Sequence, residues 1–128
     1  MITFFDKQFT ENFPTTTNFH LLPMLTQAIV FERTIYVSGC LGLNKDTMKL
    51  VEGGAKPEAK QALTSLGHIL QAAGSNYANV LKTTVFLENM DDFAAVNDVY
   101  KEFFPKDFPA RSCLQVAKLP LGAKFEIE

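Results

Sequence analysis

The stretch PEAKQALTSLGHILQAAGSNYANVLKTTVFL, residues 57–87, decides the fold class because it changes from a helical to a strand pattern within itself. Apolar residues repeat at spacings of three and four in its first part, which predicts a helix from Pro57 to Ala73 with one buried stripe. Gly74 is expected to end this helix. The second part, Val80–Leu87, is rich in β-branched residues and predicts a strand. A helix followed closely by a strand indicates a fold that packs helices against a sheet.

The segments on either side continue this pattern. Upstream, Ala28–Phe31 and Thr34–Ser38 predict a hairpin, because both are short β-rich runs separated by two residues. Downstream, Asn89 is expected to cap a second helix, and Pro105 to end it. The apolar residues of that helix share one face: Phe93, Val96, Tyr100, Phe103 and Phe104.

Two more strands complete the predicted order, one over Arg111–Ala117 and one beginning at Lys124. The order is then two strands, a helix, a strand, a helix and two strands. This order predicts an α+β fold with a mixed sheet and both helices packed on one of its faces. The 128 residues fit a single domain, 1–128, in which residues 1–26 form a leader without clear periodicity.

Charge and cysteine content disfavour several functional classes. The chain has 12 basic and 14 acidic residues, so it lacks the positive field that nucleic-acid binding needs. No apolar run is long enough to predict a membrane span. The two cysteines, Cys40 and Cys113, form neither a disulfide framework nor a CxxC pair. We therefore expect the protein to reside in a reducing compartment. The cytoplasm is the first expectation, and mitochondrial or nuclear pools are further options.

A short motif near the C-terminus and two alternating glutamates are the first candidates for chemistry. Pro109 is expected to keep Ala110 out of a strand ladder and to place Arg111 first in a strand, where its guanidinium can reach a carboxylate. A surface ion pair explains the same pattern. Glu126 and Glu128 alternate with apolar residues and so face away from the core, as they also would on an ordinary solvated strand.

Asn97 and the histidines are the remaining candidates. Asn97 falls on the inward face of the second predicted helix, where an amide either bridges structural elements or lines a site. His68 falls on the polar face of the first helix, and His20 lies in the leader. This placement disfavours nucleophilic catalysis by a Ser-His or Cys-His pair. No metal-ligand spacing is present on a predicted element.

From Gln27 onward the chain closely resembles the RidA/YjgF family of small enamine and imine deaminases. The resemblance covers most of the chain in the family's order, and the Pro-Ala-Arg and Glu-Ile-Glu motifs at this separation are its most specific part. The matching strings are Thr34-Ile-Tyr-Val-Ser-Gly39, Lys60-Gln-Ala-Leu63, Ala72-Ala-Gly74, Lys82-Thr-Thr-Val85, Asp92-Phe93, Val96-Asn97 with Tyr100, Phe108-Pro-Ala-Arg-Ser-Cys113, Gln115-Val-Ala117, Leu119-Pro120 and Glu126-Ile-Glu128.

The resemblance implies a chorismate-mutase-like fold assembled as a homotrimer, with clefts between subunits. It also implies a cofactor-free reaction in which 2-imino acids such as 2-iminopropanoate and 2-iminobutanoate are hydrolysed to 2-oxo acids and ammonia. Arg111 would bind the substrate carboxylate through two donors, and Glu126 would activate the water. Ser38, Asn97 and Cys113 match positions that line the family's cleft, with Cys113 acting mainly through its backbone.

One residue departs from the family, and two other functions stay open. Leu25 stands where the family usually has a tyrosine that helps to close the pocket, so the apolar wall is kept and the hydroxyl is lost. Endoribonuclease activity with inhibition of translation is also attached to the family, but the charge and the histidine positions favour it poorly. A trimeric ligand-binding or chaperone-like module would use Arg111 without turnover.

Overall fold

The computed structural model describes residues 27–128; the leader, with His20 and Leu25, lies outside this range. The elements follow in the order β1 (Ala28–Phe31), β2 (Thr34–Val37), β3 (Cys40–Leu41), α1 (Ala55–Ala72), β4 (Lys82–Leu87), α2 (Phe93–Phe103), β5 (Ala110–Gln115) and β6 (Phe125–Ile127). All the predicted elements are present, but their ends shift. The largest shift is at α2: Asn89 caps a 3-10 turn over Met90–Asp92, and the helix itself begins only at Phe93. The strand β3 was not predicted, because two residues are too few to show alternation.

The strands form two sheets within the described part of the chain. β1 and β2 make the predicted antiparallel hairpin. The other four strands lie side by side in the order β3-β6-β4-β5. β5 runs parallel to β4, and the remaining pairs are antiparallel. The sheet is therefore mixed, and α2 provides the crossover that a parallel pair requires.

Helix α1 begins at Ala55, two residues before the predicted start. Gly54 precedes it with a φ of 87°, a conformation that favours glycine. Pro57 lies in the first turn, where its missing N–H removes no helical hydrogen bond. Gly74, with a φ of 73°, follows the end of the helix as predicted.

One face of the four-stranded sheet packs against both helices and forms the core. Thr83, Val85 and Leu87 alternate along β4 and are buried on that face, where Phe125 and Ile127 of β6 join them. The helices contribute the rest of the same cluster: Ala59, Ala62, Leu63, Leu66 and Leu70 from α1, and Val96, Val99 and Tyr100 from α2. The predicted mixed α+β architecture is thus confirmed.

The start of β5 corrects one detail of the prediction. Ala110 is part of the ladder: it pairs with Lys82, and its N–H donates to the Leu81 carbonyl at 3.0 Å. The expectation that Pro109 would exclude Ala110 is wrong, because proline removes only its own N–H and leaves that of the next residue available.

Candidate functional site

Arg111 lies on β5, which is an edge strand of the four-stranded sheet. Its register partner is Thr83, so its side chain projects from the helix-facing side of the sheet. The guanidinium carbon lies 4.7 Å from the ring centroid of Tyr100 and 5.5 Å from that of Phe93. Both distances lie within the range of cation–π contacts. A guanidinium also carries a planar fork of N–H donors that matches a planar anion.

Tyr100 is itself held in place by a residue of β4. Its hydroxyl shares a buried hydrogen bond of 2.8 Å with the hydroxyl of Thr83. Burial raises the pKa of Tyr100, and the Thr83 hydrogen bond and the charge of Arg111 act in the opposite direction. The sequence assigned Tyr100 only to the core, and no periodicity distinguishes a core tyrosine from one that supports an arginine.

Asn97 lies on α2 between Phe93 and Tyr100, the two residues that contact Arg111. Its side-chain oxygen is buried and has no hydrogen-bond partner among the described residues. A buried acceptor without a partner costs free energy unless a ligand or water donates to it. A site-lining role for Asn97 stays a prediction, and its unpartnered oxygen on the helix that carries both Arg111 contacts is compatible with it.

Cys113 follows Arg111 by two residues and projects from the same face of the sheet. It is half-buried and packs against the core. Burial raises the pKa of its thiol, and the nearby Arg111 charge opposes this only in part. A raised pKa keeps the thiol protonated, which makes a thiolate nucleophile unfavourable here.

Glu126 lies on the opposite face of the sheet from Arg111. Its register partners are Phe86 on β4 and Leu41 on β3, whereas its neighbours Phe125 and Ile127 are fully buried on the core side. Burial raises the pKa of the Glu126 carboxyl, and the charge of Glu128 raises it further. A carboxyl with a raised pKa exchanges protons more readily near neutral pH than an ordinary glutamate.

The Glu126 carboxylate lies directly over Gly39, which precedes β3. A Cβ atom at Gly39 would overlap the carboxylate oxygen and lie 2.8 Å from the carboxyl carbon. Ser38 is the preceding residue, and its N–H donates to the Gln27 carbonyl at 2.9 Å. The backbone at Ser38 and Gly39 therefore lies beside Glu126. In the sequence, Gly39 was noted only as part of a matching string, so the structure adds it to the candidate residues.

The candidate residues therefore form two clusters in one chain. We call Arg111, Asn97 and Cys113 with their supporting tyrosine the arginine cluster, and Ser38, Gly39 and Glu126 the glutamate cluster. β4 runs between β5 and β6, and the two clusters project from opposite faces of the sheet. Leu25, the remaining predicted site residue, lies outside the described residues.

Among residues 27–128, no three His, Cys, Asp or Glu side chains gather as a metal site. His68 is exposed on α1, as its polar face predicted. None of the helices in this part of the chain is long and apolar enough to cross a membrane.

Comparison with known proteins relates this chain to one family. The family model described as Endoribonuclease L-PSP matches residues 17–128. The RutC family protein UK114 of Drosophila melanogaster is 62% identical over 102 residues, which cover 80% of this chain and 74% of that protein. The human 2-iminobutanoate/2-iminopropanoate deaminase is 50% identical over 103 residues, which cover 80% of this chain and 75% of that protein.

A solved structure shares the fold. The crystal structure of Escherichia coli TdcF with bound serine is 32% identical and superposes with a TM-score of 0.78, covering 83% of this chain and 85% of that one.

Proposed function

Since the chain belongs to the RidA/YjgF family, we propose that it hydrolyses reactive 2-imino acids, such as 2-iminopropanoate and 2-iminobutanoate, to 2-oxo acids and ammonia. The observation that carries this proposal is the guanidinium of Arg111, which lies within cation–π distance of the Tyr100 and Phe93 rings and carries a planar fork of N–H donors. A 2-imino acid offers a planar carboxylate that matches these donors. The relatives named as 2-iminobutanoate/2-iminopropanoate deaminases, and the relative that holds serine, support a small amino-acid-like substrate.

The same proposal includes a homotrimer of chorismate-mutase-like architecture, in which each site lies between two copies of the chain. The two clusters project from opposite faces of one sheet, so a shared cleft would take the arginine cluster from one copy and the glutamate cluster from the next. The outer face of the sheet also exposes apolar surface, including Leu114, which is 48% exposed. Burial of such a face between symmetric copies is the ordinary reason for a closed oligomer.

In the proposed reaction, Arg111 binds the carboxylate and so holds the C=N carbon in a fixed place. Glu126 accepts a proton from water while the water oxygen bonds to that carbon. The protonated Glu126 then returns the proton to nitrogen, which gives a carbinolamine. The C–N bond breaks as the hydroxyl proton passes to nitrogen, so one water is consumed and one ammonia is released. The raised pKa of Glu126 makes its carboxylate a stronger base than an ordinary glutamate, which favours the first step, the acceptance of a proton from water.

Ammonia release from imines generated in situ tests this function. Two charge-assisted hydrogen bonds from Arg111 are together worth on the order of 3 kcal/mol, so Arg111→Ala should lose at least about a hundredfold in kcat/KM. Lys60→Ala removes an exposed cation paired with Glu102 and serves as the matched control, with kcat/KM unchanged. If the parent protein binds 2-oxo acids through Arg111 but hydrolyses no imine, the enzyme proposal is wrong and a ligand-binding module takes its place.

A second candidate function comes from the description of the matching family model as an endoribonuclease. RNA cleavage needs an acid and a base around a phosphate, and neither cluster contains a histidine. RNA cleavage that persists in Arg111→Ala while imine hydrolysis is lost would separate the two activities. Parallel loss of both in clean preparations would favour the ribonuclease.

A further inference from the structure

Glu58, in the first turn of α1, is a buried carboxylate that the proposed reaction does not use. It is 4% exposed, and it is the only acidic or basic residue in the buried part of residues 27–128. Burial of a charge is unfavourable by several kcal/mol unless good hydrogen bonds compensate. Its position therefore calls for a specific partner.

That partner is the backbone at the start of β6. The Glu58 carboxylate accepts the N–H of Lys124 at 2.7 Å. Burial raises the pKa of Glu58, while the N–H groups of Lys124 and Phe125 act against this rise. The carboxylate thus satisfies a backbone N–H just before β6.

The surroundings hold this contact from both sides. Gly42 lets the helix approach the end of β3, since a Cβ there would lie 2.5 Å from the Glu58 Cα. On the other side of β6, the Glu88 N–H donates to the Lys124 carbonyl at 3.1 Å, and the Lys124 ammonium pairs with the Glu88 carboxylate. Lys124 is therefore fixed between α1 and the end of β4.

We propose that Glu58 is a positioning residue for Glu126: it ties the start of β6 to α1 and so holds the strand that presents the Glu126 carboxylate over Gly39. β6 has only three residues, and Glu126 is the second of them. β3 pairs only with Glu126 and Ile127, so the Glu58 hydrogen bond supplies the contact that connects the start of the strand to α1. The inference rests on the proposed function, because it assigns Glu58 a role in that reaction.

Two substitutions at Glu58 distinguish the contribution of its hydrogen bond from the contribution of its side-chain volume. Glu58→Met keeps the length of the side chain and loses the acceptor, whereas Glu58→Gln keeps a carbonyl oxygen for the Lys124 N–H. We expect Glu58→Met to lower kcat at least about tenfold with KM within about threefold, and Glu58→Gln to recover most of kcat. Leu70→Ala is the control: it lies near the other end of α1, is also buried, and should lower stability while keeping kcat at temperatures well below Tm.

A second measurement does not depend on turnover. In protein with ¹³C-labelled glutamate carboxyl groups, the resonance lost in Glu126→Gln identifies Glu126. The other titratable groups close to it are the carboxylate of Glu128, which directly follows β6, and the Cys40 thiol on β3. In Glu58→Met the start of β6 opens to water, so the pKa of Glu126 should fall toward that of an ordinary glutamate, and it should stay raised in Glu58→Gln and Leu70→Ala.

These experiments distinguish a failure of the positioning role of Glu58 from a failure of the proposed imine hydrolysis. Unchanged titration of Glu126 in Glu58→Met, with kcat no lower than in Leu70→Ala, would overturn the positioning role. If the parent hydrolyses no imine, the proposed function fails, and a shifted Glu126 titration in Glu58→Met alone would still show that Glu58 places this carboxylate.

Discussion

Gly39→Ala should lower kcat about a hundredfold while leaving the stability of the protein almost unchanged. Gly39 is not among the glycines that adopt a positive φ, so its backbone accepts alanine without strain. The new methyl group instead meets the carboxylate of Glu126. The substitution therefore perturbs one proposed catalytic group and little else.

The size of the effect follows from this contact. The new Cβ would stand 2.8 Å from the Glu126 carboxyl carbon, whereas carbon atoms pack at about 3.5–4.0 Å. The carboxylate must retreat by on the order of 1 Å, a displacement that costs about a hundredfold in rate. The free energy of unfolding should stay within about 1 kcal/mol of the parent, because alanine also restricts the unfolded chain.

Steady-state ammonia release and thermal unfolding, measured on the same preparation, test this expectation. Gly74→Ala is the matched control, since Gly74 has a φ of 73° and a Cβ there would touch nothing within 4 Å. It should lose about 1 kcal/mol of stability through backbone strain and keep its kcat. A Gly39→Ala protein with parental kcat would refute the placement of Glu126 over Gly39 as a requirement for turnover.

Three further predictions concern the pH profile, stability and the leader. Glu128→Gln removes a like charge that raises the pKa of Glu126. Because a base is active when ionised, the acid limb of the pH–kcat profile should move to lower pH, and an unmoved limb would contradict the assignment of Glu126 as base. Thr83→Val removes the buried hydrogen bond to Tyr100 and should lower the free energy of unfolding by about 1–2 kcal/mol. Urea denaturation measures this loss, and an unchanged free energy would show that the bond is absent in solution. Leu25→Tyr, which introduces the family's usual hydroxyl, should raise kcat/KM in the ammonia assay; equal activity would show that this hydroxyl is not limiting.

The elements and their buried faces could be predicted from the sequence because they depend on local periodicity. The stripe of α1 and the alternation around Phe125 and Ile127 are visible in short windows, and these residues are buried as predicted. Local pattern alone left Arg111 and Glu126 explicable as ordinary surface residues, and they stood out because each lies in a motif that resembles the RidA/YjgF family. Their functional roles remain predictions.

The arrangement of these residues depended on the tertiary structure. Periodicity tells which side of its own element a residue occupies, but the register between strands far apart in the sequence sets which residues share a face. That register places Arg111 and Glu126 on opposite faces of the sheet. It also brings Gly39 beneath Glu126 and the carboxylate of Glu58 to the Lys124 N–H. These contacts join segments distant in the chain, and no local pattern records them.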